Sequence, residues 1–459
     1  MITVWLCTAY YVNLLETGSL RWADNCLIVI DEVHHCLNEH PYSRLIQLCR
    51  QSQLEVRRRP RLLGLTASPA GRDTLAATAA LLQQLMSNLG VERLAIVERH
   101  VDELASYHCT ATLDIRLVTC SSNEQQLRSE LCRYLLRCYR QLCELSDSTS
   151  LCQLDVFSSS DPDNLEDSAS NLDSEIIQCL SDVVDTVEPR GLSCKLVVSF
   201  LINHVKVLCQ ALESLYSLGL ESAYNELAIL LRTDYVGCFV HADEAGLPCA
   251  TLKSLVSEYL EAENKSKSTP MVDSDDDDDD ESTKSATYVQ LVHELVTWWD
   301  RCTDARQSKM ALVLVRKRST ASALVKLLER CPSLQRRQIS VVYIVGHGSG
   351  GSDAGMTVQR QARTLHDIQH GKYNVIVATS VAEEGVDLPE CDIVIQLDAP
   401  DCVRALVQVR GRARKTGSRF IAFCHDATQK SQLKSLLQQE RHMMDAISHI
   451  IDNKLAQPL

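Results

Sequence analysis

The sequence predicts an α/β protein in which two parallel-sheet regions flank an all-helical region. Short apolar runs rich in β-branched residues alternate with helical segments in residues 1–118 and again after residue 287, as in parallel sheets covered by helices. Residues 122–265 instead repeat apolar residues at intervals of three and four, which is the spacing of amphipathic helices. A chain of 459 residues is also too long for one ordinary core, so two or three domains are expected.

The first sheet region is predicted from short apolar runs that follow a helical segment within residues 1–20. Residues 26–30 (CLIVI) end directly before Asp31 and are expected to form a strand buried on both faces of its sheet. Residues 62–66 (LLGLT) predict a second strand, and residues 94–97 predict a third.

The middle of the chain is predicted to be helical and then unstructured. Helices are expected at residues 127–145, 193–218 and 252–263. The polar residues 146–174 between the two long helices predict a loop. Residues 273–281 carry eight acids, and such a run repels itself and buries no apolar surface. A disordered acidic linker is therefore predicted over residues 266–287.

Alternation of strands and helices resumes after this linker and predicts a second parallel sheet. The predicted strands are residues 311–315, 341–345, 375–379, 393–397 and 420–424. The predicted helices between them are residues 319–330, 357–370 and 402–409. A last helix is expected over residues 428–455.

The charge distribution is compatible with a nucleic-acid partner in one part of the chain. The net charge of −14 would argue against such a partner if it were uniform. Residues 301–430, however, contain 20 Lys and Arg against 12 Asp and Glu, a balance of +8. A basic lobe within an acidic chain can bind a polyanion.

The cysteines and the hydropathy predict a protein of a reducing compartment, and we expect the cytoplasm. The 20 cysteines are scattered without any CxxC pair, and the N-terminus lacks the pattern of a secretory signal. Free thiols are therefore favoured over disulfides or zinc ligands. No apolar run reaches the roughly 18 residues that cross a bilayer, so no membrane partner is expected.

Two motifs in the first region place polar groups at predicted strand ends. In IVIDEVHH, Asp31 and Glu32 follow a strand, with His34 two positions on, and this arrangement suits a metal ion and an attacking water in nucleotide hydrolysis. In LLGLTASP, Thr66 and Ser68 could hydrogen-bond the first motif. Each has an ordinary alternative, an acidic surface turn for the first and a helix-capping Ser/Thr turn for the second.

Two further motifs lie in the second region. In VATSVAEEGVDLP, Thr379 and Ser380 end a strand and suit contacts to a phosphate backbone, while a glycine turn leads to Asp387. In QVRGRARKTGSRF, guanidinium groups are crowded together and suit a γ-phosphate. The alternatives are an ordinary strand–helix unit and a solvated basic surface.

The order of these motifs resembles that of superfamily 2 helicases, in the branch shared by Dicer and the RIG-I-like receptors. VGHGSGG at residues 345–351, the string ATSVAEEGVDLPECDIVIQLDAP and the acidic stretch after the helical region make the chain most similar to the helicase region of Dicer-like endoribonucleases. The resemblance implies two RecA-like parallel-sheet domains, the first incomplete, with an all-helical insert between them. The implied units are residues 1–120, 121–265, 266–287, 288–430 and a helical tail, 431–459, leading to a following domain.

The resemblance also implies roles for single residues. The implied catalytic residues are Asp31, Glu32, His34, Gln408, Arg412 and Arg414, with Asp31 and Glu32 at the metal. ATP with Mg²⁺ is the implied cofactor, and Gly385, Asp387, Arg412 and Arg414 are the implied nucleotide contacts. Double-stranded RNA is the implied partner, bound by Thr8, Gly346, His347, Thr379 and Ser380. Thr66 and Ser68 would couple the domains. A double-stranded RNA-binding protein and the remaining Dicer domains are further implied partners.

One expected motif is absent from the sequence. No GxxxxGK[ST] occurs, although this P-loop would cradle the phosphates of ATP. We expect an N-terminally truncated chain that is itself inactive as an ATPase, and a decayed ATPase is the alternative. Two other functions stay open: a module that binds RNA or a partner protein without turnover, and a RIG-I-like sensor of viral RNA.

Overall fold

The structure is a computed structural model. It describes residues 10–20, 26–37, 40–51, 60–69, 71–91, 93–96, 111–145, 180, 184, 187, 195–228, 257, 284–301, 309–346, 355–379, 386–398, 400, 402–415 and 417–455. The predicted loop at residues 146–174, most of the acidic linker and nearly all of the predicted helix at residues 252–263 lie outside the described residues.

Strands and helices alternate at both ends of the chain, as predicted. The strands are β1 (Leu27–Ile30), β2 (Arg61–Gly64), β3 (Thr112–Leu117), β4 (Ala311–Leu314), β5 (Val341–Ile344), β6 (Val375–Ala378), β7 (Ile393–Gln396) and β8 (Arg419–Cys424). The helices are α1 (Tyr10–Glu16), α2 (Pro41–Gln51), α3 (Leu75–Leu89), α4 (Ser122–Leu145), α5 (Lys195–Ser217), α6 (Leu220–Leu227), α7 (Ala286–Arg301), α8 (Arg318–Glu329), α9 (Pro332–Gln335), α10 (Val358–Gln369), α11 (Val403–Arg410) and α12 (Ala427–Leu455).

The small sheet consists of β1 and β2, which pair in parallel from Leu27 opposite Arg61 to Ile30 opposite Gly64. The first two predicted strands are thereby confirmed. The expected burial of β1 on both faces is wrong, because Leu27 and Val29 are half-exposed while Ile30 packs with the neighbouring helices. A strand is buried on both faces only where layers cover both. The third predicted strand is also wrong for the part that is described, because residues 93–96 have no regular structure.

The large sheet is entirely parallel and has the order β3-β8-β7-β4-β6-β5. All five predicted strands of the second region are confirmed to within one or two residues. β3 was not predicted: it comes from the range assigned to the first domain, yet it pairs with β8 along its whole length. The domain limits given above stay a prediction.

The helical region and the last helix also follow the prediction. α4 and α5 pack face to face around a core of leucines, valines and cysteines, and α6 packs against α5. α12 contributes Leu433 and Leu436 to the core of the large sheet. Further along, the same helix packs Met443 and Ile447 against α3 of the first region. The cysteines of the described residues are free thiols, and the described helices include none long and apolar enough to span a membrane.

Candidate nucleotide and RNA site

The acidic motif lies at the carboxyl end of β1, where open α/β sheets bind their ligands. Asp31 is exposed, and its Oδ1 accepts a hydrogen bond from the Glu32 amide at 3.0 Å. Glu32 has a φ of +48°, which is uncommon for a residue with a side chain and costs free energy. The following helical turn, Val33–Leu37, buries His34 and brings its Nδ1 to 3.3 Å from Glu32 Oε2.

The structure joins this motif to the Thr66 turn. Because β1 and β2 are adjacent and parallel, their carboxyl ends meet at one edge of the sheet. His34 Nδ1 lies 3.0 Å from Thr66 Oγ1, and the same hydroxyl oxygen accepts a bond from the Ser68 amide at 3.2 Å. Nδ1 of His34 thus faces both Thr66 and Glu32, and these two contacts fix one orientation of the imidazole.

The oxygen donors at this edge fit Mg²⁺ in type. Magnesium prefers carboxylate oxygens and is usually held through one or two carboxylates, water and substrate phosphates. The carboxylates of Asp31 and Glu32 would supply these ligands. Within the described ranges no group of three or more His, Cys, Asp or Glu side chains could hold a metal ion by itself, so the phosphates would have to supply ligands as well.

Among the predicted residues of the second region, Thr379 lies at the carboxyl edge of the large sheet, whereas the Arg412 carbonyl accepts from the Cys391 amide at 3.2 Å, just before the amino end of β7. Thr379 follows β6 and is buried, and Asp387 accepts a long hydrogen bond at its carbonyl from Gln369. Arg414 is exposed, and its Nε donates to the Gly411 carbonyl at 2.9 Å. Burial, together with the adjacent charge of Arg414, lowers the pKa of the Arg412 guanidinium.

Four predicted site residues, Thr8, His347, Ser380 and Gly385, lie outside the described residues. Gly346 is described, and its carbonyl accepts from the Met356 amide at 3.3 Å. Gln408 lies on α11, two residues before the helix ends. The contacts described for Arg412 and Arg414 are with their own region. The functional roles given to all of these residues stay predictions.

The two regions meet in a cavity of about 580 Å³ beside the acidic motif. It is lined by His34, Leu37, Ser68, Pro69, Gly71, Arg72, Leu81, Gln84, Cys402, Val403, Arg404, Leu436 and Gln439. The position of α12 beside this cavity was not predicted from the sequence. The only available signal was the apolar spacing of residues 433–451, which predicts a buried helix face but not its neighbours.

This chain is similar to a helicase domain family and to several Dicer proteins. Residues 288–417 match the family model of the helicase conserved C-terminal domain. The chain is 24% identical to endoribonuclease Dicer of Xenopus tropicalis over 98% of its own length and 23% of that protein. It is 25% identical to Dicer-like protein 1 of Pyricularia oryzae, with 91% of this chain and 22% of that protein covered.

Two further comparisons agree with this result. The chain is 26% identical to endoribonuclease Dicer homolog 1 of Oryza sativa subsp. japonica, over 89% of its own length and 22% of that protein. The crystal structure of the Pyrococcus furiosus Hef helicase domain superposes with a TM-score of 0.51 at 21% identity, covering 93% of this chain and 77% of that chain. The chain thus spans less than a quarter of the length of these Dicer relatives. The parallel-sheet fold predicted from the sequence is confirmed, and the comparisons support a helicase region similar to that of Dicer.

Proposed function

We propose that this region binds double-stranded RNA for a Dicer-like endoribonuclease of RNA silencing in the cytoplasm, alongside a double-stranded RNA-binding protein. The observation that carries the proposal is the contact between His34 and Thr66. It joins two motifs that are 32 residues apart, in a chain whose second region matches a helicase domain. Such a contact is expected where two strand ends form one functional edge. The comparisons name Dicer relatives, and no described contact favours the viral-RNA sensor.

Apart from Thr8, the proposed RNA contacts lie on the second region. Its excess of 8 positive charges attracts a polyanion, and hydroxyl groups at strand ends suit phosphate and sugar rather than base edges. Double-stranded RNA is read mainly by its shape and its 2′-hydroxyl groups, so we expect little dependence on base sequence.

The proposed nucleotide contacts lie at both regions. Asp31 would hold Mg²⁺, Glu32 would orient the attacking water, and Arg412 and Arg414 would face the phosphates. Bound ATP with Mg²⁺ would supply the phosphoryl group and the charge neutralisation. The residues present fit the metal and the water, but this sequence contains no P-loop to hold the phosphates.

Titration of a labelled RNA duplex at increasing salt tests the proposal. The logarithm of the affinity should fall steeply with the logarithm of salt concentration, since neutralised phosphates release counterions. A DNA duplex and an RNA duplex of shuffled sequence are the controls. Thr379→Val should weaken RNA binding by about fivefold, the effect of one hydrogen bond, while Thr320→Val on α8 should not. Affinity independent of salt, or a strong preference for one base sequence, would contradict the proposal.

A further inference from the structure

One face of α12 contacts both sheet regions. Residues at positions 433, 436, 440, 443, 447 and 450 follow each other at intervals of three and four, so they form a single stripe along the helix. The stripe begins with Leu433 and Leu436 in the core of the large sheet. It ends with Ile447 and Ile450 packed against Leu82 of α3. The middle of the stripe therefore lies at the junction between the two regions.

The middle turn of this stripe contacts the arginine motif (Arg410, Arg412 and Arg414) through Glu440. Arg410, the last residue of α11, donates through Nη1 to Glu440 Oε2 at 3.0 Å and through Nη2 to Oε1. Both side chains are largely buried. A two-point pair of this kind fixes the direction of the guanidinium as well as its position. Because Arg410 stands two residues before Arg412, the pair also fixes the end of the helix from which Arg412 and Arg414 project.

The next turn of the same face holds the first region. Ser68 is buried, and its Oγ donates to Met443 Sδ at 3.5 Å. Beside this contact, Gln439 Nε2 donates to Asp73 Oδ1 at 2.7 Å. Ser68 is bonded through its amide to Thr66, and Thr66 contacts His34. An unbroken series of contacts thus runs from Arg410 through α12 to the acidic motif.

We propose that Glu440 and Met443 are positioning residues that tie the arginine motif of the second region to the Thr66–Ser68 turn of the first. The residues they position belong to the site of the proposed function, and the inference rests on it to that extent. A buried carboxylate adds little stability over an apolar side chain of similar size. The presence of Glu440 at this position is therefore better explained by the fixed geometry of its two-point pair with Arg410. Glu440 and Met443 are three residues apart on one rigid turn of the helix. A displacement at the Arg410 pair is therefore transmitted to the Ser68 contact.

Hydrogen exchange of the full chain, without RNA or ATP, tests this proposal. Glu440→Gln removes one charge from the pair with Arg410 and should raise the exchange rates of amides at residues 409–413. The decisive measurement is made in the first region. There, amides at residues 65–68 should also exchange about tenfold faster, which is the effect of losing one charged hydrogen bond. Met443→Ala should raise exchange at both places in the same way. Asp445→Asn and Met444→Ala, on the exposed face of the same helix, are the matched controls and should change neither.

A rescue variant separates positioning from loss of structure. The double variant Arg410→Glu, Glu440→Arg restores an ion pair of reversed direction and should return the rates at residues 65–68 toward those of the original chain. If Glu440→Gln fails to fold by circular dichroism, Arg410→Lys gives the same reading, because it keeps the charge and loses the two-point geometry. Faster exchange confined to the second region would overturn the proposal. Absence of RNA binding by the original chain, with the exchange results as expected, would instead count against the proposed function alone.

Discussion

β1 and β4 are both four-residue apolar strands with a parallel neighbour, yet they are buried very differently. In β1, the exposed fractions of Leu27 and Val29 are 52% and 51%. In β4, which lies between two other strands, no residue exceeds 4%. The comparison shows that an apolar run is enough to predict a strand, whereas its burial depends on how many strands and helices surround it.

The same difference extends to the candidate site. The small sheet carries the acidic motif but has few neighbours of its own, and its helix α3 packs on α12. The large sheet carries the arginine motif within a continuous core. The first region therefore depends on the second for part of its packing. We have four expectations for the two regions, in order of decreasing effect.

The largest expected effect concerns ATP. We expect RNA-stimulated phosphate release from this chain to be about 10³-fold or more below a helicase rate, because positioning of the phosphates supplies most of this catalysis and the P-loop is absent. The matched measurement uses a longer version that carries a P-loop. Turnover by the present chain that Glu32→Gln abolishes would show that other residues hold the phosphates.

Matched leucine truncations test the difference between the two sheets. Leu312→Ala in β4 should lower the free energy of unfolding by about 3 kcal/mol, because it leaves a cavity in a close-packed core. Leu27→Ala in β1 should change it by less than about 1 kcal/mol, since that side chain is already half in water. Urea titration followed by circular dichroism measures both. Equal losses would mean that β1 is covered in solution.

The position of β3 can be tested through its ion pairs. Arg419 of β8 binds Asp114 of β3 at 2.7 Å and the buried Glu294 of α7 at 3.4 Å. Arg419→Gln should cost about 2 kcal/mol, because it leaves Glu294 with fewer partners. Arg337→Gln, which breaks a pair with the exposed Asp300, should have a smaller effect on the same urea midpoint. Equal losses would show that the ion pairs of Arg419 contribute no more than an exposed ion pair does.

The smallest expected effect is that of the acidic run. Deleting residues 273–281 should change the stability of the second region by less than about 1 kcal/mol, since it removes charge repulsion and no apolar side chain. Thermal unfolding of the deleted and complete chains compares them. Cooperative loss of the second region would show that the run packs against it.

The sequence by itself determined most of the secondary structure. The strands of the large sheet other than β3, the helices α8, α10 and α11 between them, and the long helices α4 and α5 all follow from the spacing of apolar residues, which is a local property of the chain. The motifs at strand ends were also readable, because parallel strands present their carboxyl ends at one edge. The proximity of Thr66 to His34 follows from that geometry.

Only the tertiary structure decided which elements share a sheet and which residues join the two regions. β3 has an apolar and charged mixture that predicts no partner. It pairs along its whole length with β8, more than 300 residues further along the chain, and Arg419 of β8 binds Asp114 of β3. Glu440 and Met443 looked like ordinary residues of a tail helix. Their contacts with Arg410 and Ser68 arise because α12 crosses from one region to the other, and such long-range packing leaves no periodic pattern in the sequence.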